Sequence, residues 1–135
     1  MIRTYRQKIT IIKFRRPAPS LNDELQWLGN SLGLFNLRDK DKSCFRVFIE
    51  MLKAAKQRRL LSSDEIAEHL NLTRGTVIHH INRLIESGLV VHDGSRYFLR
   101  VENLSTLIGE IERDVQQTCD DLRRVAEDVD KKLGL

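Results

Sequence analysis

A chain of 135 residues, 41% of them apolar, can bury one compact core and is too short for two independent ones. Charged residues make up 31% and aromatics 6%, the composition of a helix-rich soluble protein rather than of an aromatic-dense β-sandwich. No apolar run approaches the roughly 18 residues of a membrane span, so no membrane partner is expected. The net charge of +4 conceals an asymmetry: residues 1–60 hold 14 Lys+Arg against 5 Asp+Glu, residues 61–100 hold 4 against 5, and residues 101–135 hold 5 against 9. A basic front and an acidic tail suit a chain that shows one face to a polyanion and another to a protein partner, and equally one whose charged faces are simply solvated.

Residues 1–19 carry Arg3, Arg6, Lys8, Lys13, Arg15 and Arg16 and no acid. That is the composition of a transit peptide, but the alternation around Ile9 and Ile11 suits a strand better. Lys8–Phe14 is accordingly predicted as a short strand in a basic arm, stopped by Pro17 and Pro19. Ser20 or Asn22 caps a short helix that uses Leu21, Leu25, Trp27 and Leu28 and ends at Gly33. Asp39 and Asp41 offer caps to a longer helix reaching about Lys56, with Phe45, Phe48, Ile49, Leu52 and Ala55 on its apolar face and Arg46, Lys53 and Lys56 opposite. Ser62 and Glu65 stand in capping-box relation ahead of a helix burying Ile66, Ala67 and Leu70.

After a turn at Asn71 and Leu72, Thr73 caps a second helix with Val77, Ile81, Leu84 and Ile85 inward and Gly88 at its exit. Asp93-Gly94-Ser95 then reads as a hairpin turn between two short strands. From Asn103 to Leu133 an apolar repeat runs without proline, a helix of about 46 Å. Ile108, Val115, Leu122 and Val129 share one heptad position, and Ile111, Thr118, Val125 and Lys132 the other, a coiled-coil seam for a homodimer with Thr118 and Lys132 as weak points; the alternative is a helix folded back as an intramolecular cover. The fold class is therefore mainly α with a small β wing: an arm (1–19), a winged helix-turn-helix (20–101) and a C-terminal dimerisation helix (102–135).

The order helix, turn, helix with an exposed polar N-terminal half, then hairpin has a physical logic. A capped helix showing Arg, Thr, His and Asn fits a major groove and hydrogen-bonds base edges, while the hairpin reaches the adjacent backbone. The expected contacts to duplex DNA are Thr73, Arg74, Gly75, Thr76, Ile78, His79, His80, Asn82 and Arg83 on the second helix, with Ser63 and, beside the wing turn, Arg96. Ile78 touches a thymine methyl or packs beside Ile81. His80 partly supports helix packing. Arg96 meets a phosphate or is a solvated turn residue, and Ser63 and Thr76 donate to phosphates or only cap.

Residues 70–90 resemble the recognition helix of ArsR-type winged-helix transcription regulators. The likeness is carried by Thr73, Thr76, Val77, His79, His80, Leu84 and the Gly88-Leu89-Val90 exit. The layout also resembles archaeal winged-helix proteins that add a long C-terminal helix. The resemblance implies a homodimeric DNA-binding regulator. Its metal site does not carry over, because the preceding helix reads Asp64-Glu65-Ile66-Ala67-Glu68-His69 and has no Cys-x-Cys. Those acids suit the first turns of a helix for dipole and capping reasons, and His69 and His92 stand alone as surface residues. Cys44 and Cys119 lie 75 positions apart with no CxxC spacing, so no disulfide framework or zinc site is indicated and a reducing, cytoplasmic setting fits. No phosphate loop, GxSxG or HExxH occurs. Neither catalytic residues nor a cofactor nor a metal is expected. The rival reading is a winged-helix module that binds protein within a larger complex, favoured by the near-neutral charge of residues 61–100.

Overall fold

The computed structural model, which describes residues 6–35 and 42–135, contains in chain order α1 (Leu21–Ser31), α2 (Ser43–Lys56), β1 (Leu61–Ser62), α3 (Ser63–Leu70), α4 (Arg74–Glu86), β2 (Val90–Asp93), β3 (Arg96–Leu99) and α5 (Leu104–Leu133). The strands form one antiparallel sheet in the order β1-β3-β2. This is a winged helix: α3 and α4 make the helix-turn-helix, and β2 and β3 the wing. No helix among the described residues is long and apolar enough to cross a membrane.

Every described helix except α2, whose N-cap Lys42 makes no side-chain bond, starts where a side chain satisfies an otherwise orphaned N–H. The Ser20 hydroxyl accepts from Asp23 N at 3.2 Å. At α3 the capping box closes from both sides, with Glu65 N donating to Ser62 Oγ at 3.1 Å and Ser62 N to Glu65 Oε1 at 3.4 Å. Thr73 and Asn103 do the same for α4 and α5. Gly88, at φ 80°, follows α4 as expected, and Gly94, at φ 61°, takes the first position of the two-residue wing turn, where a left-handed residue lets the twisted strands meet.

The core lies between α2, α3, α4, the sheet and the first turns of α5. Val47, Phe48, Met51, Ile66, Val77, Ile81, Leu84, Leu89, Leu99 and Leu107 are all nearly or fully inaccessible. On α2 the buried face is Cys44, Val47, Phe48, Met51, Ala54 and Ala55, while Phe45, Ile49 and Leu52 are only half-buried. The expected face is thus off by one position. Phe45 turns instead toward α1, its ring 4.8 Å from that of Phe35, and the small Ala54 and Ala55 let α2 lie close to its neighbours. Asp39 and Asp41, expected as caps, lie outside the described residues.

The end of α2 is a Schellman closure, with Arg58 N donating to Ala55 O at 3.1 Å and Arg59 N to Ala54 O at 3.0 Å. The left-handed position in this motif usually belongs to glycine, yet Arg58 holds it at φ 54°, at a cost of about 1 kcal/mol. Asn71 takes the same conformation at the end of α3 (φ 55°), where an Asn is well tolerated.

Two expectations about strands need correction. Residues 8–14 form no strand. The arm's N–H groups are drawn to helix ends instead, Lys8 N to Glu86 O at 2.9 Å and Ile12 N to Ser31 O at 2.8 Å, so no sheet edge receives it. The sheet also has a third member: β1 pairs with β3, Leu61 opposite Tyr97 and Ser62 opposite Arg96.

Helix α5 spans 30 residues, about 45 Å. Leu107 and Ile111 are buried, and Leu104 and Val115 pack against the core. Beyond them Leu122 (64% exposed), Val125, Val129 and Leu133 face no neighbour. The expected seam is corrected at its start, since Ile111 already belongs to the domain core and Val115 is half-buried against it. A straight helix with 3.6 residues per turn docks its first turns on the domain and carries the heptad stripe away from it. Ile108 and Thr118 are exposed.

Candidate nucleic-acid interface

Helix α4 presents a polar face because its apolar positions are used up inward. Val77, Ile81 and Leu84 are fully buried, and the residues at intervening angles emerge on the other side. Thr73, Arg74, Gly75, His79 and Asn82 are exposed there, with 75, 79 and 82 in line along the helix. Thr76, Ile78 and Arg83 are half-buried at its margins. Thr73 Oγ1 accepts from Thr76 N and donates to Thr76 Oγ1 at 2.8 Å, so both hydroxyls are occupied in building the helix start. Arg83 Nη2 donates to Gly33 O at 3.2 Å, tying α4 to the loop after α1.

Arg74 is the cation best placed to reach outward. Its Nε lies 3.5 Å from Asp64 Oδ1 with both side chains largely exposed, a pairing of little energetic weight that a phosphate or base edge can replace. Gly75 would meet no heavy atom within 4 Å if it carried a Cβ. Packing does not demand a glycine there, and the turn stays open for close backbone approach.

Two of the expected residues are placed inside the domain. Ser63 is 7% exposed and His80 6%. Ser63 is the first residue of α3, directly after β1. His80 falls between Val77 and Leu84 on the buried stripe, its ring 5.5 Å from that of His79. The remaining positions, Arg96 apart, share the outer face and margins of α4.

Arg96 is anchored rather than reaching freely from the wing. Its Nη1 donates to Glu65 Oε1 at 2.7 Å and to Leu60 O at 3.3 Å, and Glu65 also takes Arg59 Nη2 at 3.4 Å. Partial desolvation works against the Glu65 charge. The hydrogen bonds from the Ser62 backbone and hydroxyl and from Arg96 nevertheless hold its carboxyl below the ordinary carboxylate range. Glu65 thus joins the α3 cap to the wing, a role that sequence spacing shows only for the cap. The pairing of β1 with β3 brings Arg96 over it. Arg46 likewise serves structure, donating through Nη2 to Leu70 O at 2.7 Å at the end of α3.

No curated protein and no solved structure gives a significant match to the chain. Residues 49–91, from the second half of α2 through α3 and α4 into β2, match the family described as winged helix-turn-helix DNA-binding, the segment in which the exposed face of α4 is built.

Proposed function

We propose that the protein is a cytoplasmic, sequence-specific regulator of transcription that binds duplex DNA as a homodimer, of the ArsR-like kind that residues 70–90 resemble. The observation that carries this reading is the uncovered face of α4, where Thr73, Arg74, Gly75, His79 and Asn82 stand exposed in a segment matched to a DNA-binding family. Arg74 and His79 are assigned to base edges, Asn82 to the same groove, and Thr76, Ile78 and Arg83 to its margins. Arg96 meets the phosphate backbone by exchanging part of its pairing with Glu65. The exposed stripe of α5 at Leu122, Val125 and Val129 is assigned to the second copy, which sets two α4 helices about one DNA turn, near 34 Å, apart.

A DNA titration with Arg74→Ala and His79→Ala tests the assignment. Both variants should lose discrimination between a selected site and random duplex while remaining folded, because both side chains are exposed. Retained discrimination would remove them from the base-reading set. The rival, a module binding another protein through α4, is favoured by the engagement of Arg74 with Asp64 and of Arg96 with Glu65. It is separated by salt: with three phosphate contacts, affinity falls roughly 40-fold between about 50 and about 200 mM salt, whereas an apolar protein contact does not respond in this way.

A further inference from the structure

A cleft of about 310 Å³ lies where the end of α2 meets β3 and the residues leading into α5. None of its lining residues belongs to α4. Its apolar lining comes from Ala55, Phe98 and Val101, and its charged lining includes Arg58, Arg59 and Glu102. The size and the mixture, a mainly apolar wall with a few convergent charges, are those of a small-molecule site.

The guanidiniums of the lining are not held alike. Arg58 Nε pairs only loosely at the surface with Glu102 at 3.2 Å, while Arg59 lies 3.4 Å from Glu65, which also takes Arg96. Arg100 also lines the cleft but is held by Asp114 and Glu110. The Ala54 and Ala55 carbonyls at the end of α2 are already closed by the N–H groups of residues 57–59.

Arg58 is the second observation. It occupies the left-handed position that glycine fills without strain, and its pairing with Glu102 joins side chains that are 81% and 65% exposed. An exposed pair of that kind contributes little and does not account for a guanidinium kept on a strained backbone. Strained non-glycine positions gather where a side chain is needed for binding.

We propose that this cleft binds a small organic acid. The apolar body, aromatic or branched, lies against Ala55, Phe98 and Val101, and the carboxylate takes Arg58 in exchange for Glu102. Glu102 immediately precedes Asn103, the cap of α5, so occupancy releases a carboxylate at the base of the long helix.

Isothermal titration of the full chain with 2-naphthoate, and with 2-naphthamide as its neutral counterpart, tests the site. The acid should bind, and the amide should bind about tenfold more weakly, the factor expected for losing one charged hydrogen bond at a partly wet site. Arg58→Gly should weaken the acid by about the same factor while melting no lower than the parent chain, since glycine relieves the left-handed backbone. Glu102→Gln should tighten it. Absence of binding by 2-naphthoate, equal affinity for the amide, or equal affinity in Arg58→Gly overturns the proposal, and an unchanged or weaker affinity in Glu102→Gln overturns the exchange with Glu102.

Discussion

At Gly75 an added methyl group meets no heavy atom within 4 Å, and the residue lies in the first turn of α4, so nothing in the domain opposes an alanine. Gly75→Ala is expected to raise the unfolding free energy by about 0.5–1 kcal/mol through lower chain entropy in the unfolded state. On the proposed reading it is also expected to weaken DNA binding, because the methyl would stand on the face of α4 turned to the nucleic acid. Denaturant melts and a DNA titration read the two effects separately, and unchanged affinity would place this turn away from the nucleic acid. Much of the residue scale is legible in sequence: the caps Ser20, Ser62 and Thr73 follow from short side chains ahead of apolar periodicity. His80 was legible in part, since its spacing from Val77 and Leu84 puts it on the inner stripe. Ser63 was not, because no apolar period marks a serine at the first position of α3 as buried.

Elements are held together by a small number of polar joints, and Asp114 on α5 is the one that gathers most of them. Arg100 from the end of β3 donates to both of its oxygens, and Gln7 of the arm donates to Oδ2 at 3.0 Å. The hydrogen bonds from Arg100 hold the Asp114 carboxyl below its ordinary value against the desolvation that would raise it, with further help from Gln7 and the Arg100 charge. A carboxyl depressed in the folded state contributes stability that is complete above its unfolded value, about 3.9, and is lost as pH falls through the folded value. Asp114→Asn should therefore melt lower than the parent at neutral pH, and the gap should narrow as pH is taken from about 7 toward 3. Parallel melting curves over that range would show that Asp114 does not join arm, wing and α5. The arm itself illustrates where local pattern fails. Its alternation is real, but a strand needs an edge, and the carbonyls of Glu86 and Ser31 capture its N–H groups first.

On α5 the heptad pattern is legible and its use is divided. Ile111 is buried in the domain core, whereas Leu122 and Val129 are exposed and, on the proposed reading, belong to the contact with a second copy. Replacing Leu122 and Val129 by Asp should convert dimers to monomers by light scattering without loss of helix by circular dichroism. Persistent dimers would contradict the assignment of this stripe. Sequence alone does not reveal where one use ends and the other begins, since both follow the same spacing until the domain's surface is known.

Across the whole molecule the charge is separated as in the sequence, with the basic excess in residues 1–60 and the acidic excess in residues 101–135. The segment between them, which carries the exposed face of α4, is nearly neutral. On the proposed reading, specificity belongs to α4 and most of the phosphate neutralisation to cations outside it. The winged helix was legible because caps, turn residues and apolar spacing all agree over residues 62–101, and the third strand was not because two residues carry no pattern of their own. The central claim is a dimer that reads duplex DNA, and selection of duplexes from a random pool at low and high salt, with the mass of the protein in solution recorded alongside, tests it most directly. An inverted-repeat site bound by a dimer, with affinity that falls steeply as salt rises, is the predicted result; the absence of any enriched sequence, with binding indifferent to salt, would contradict it.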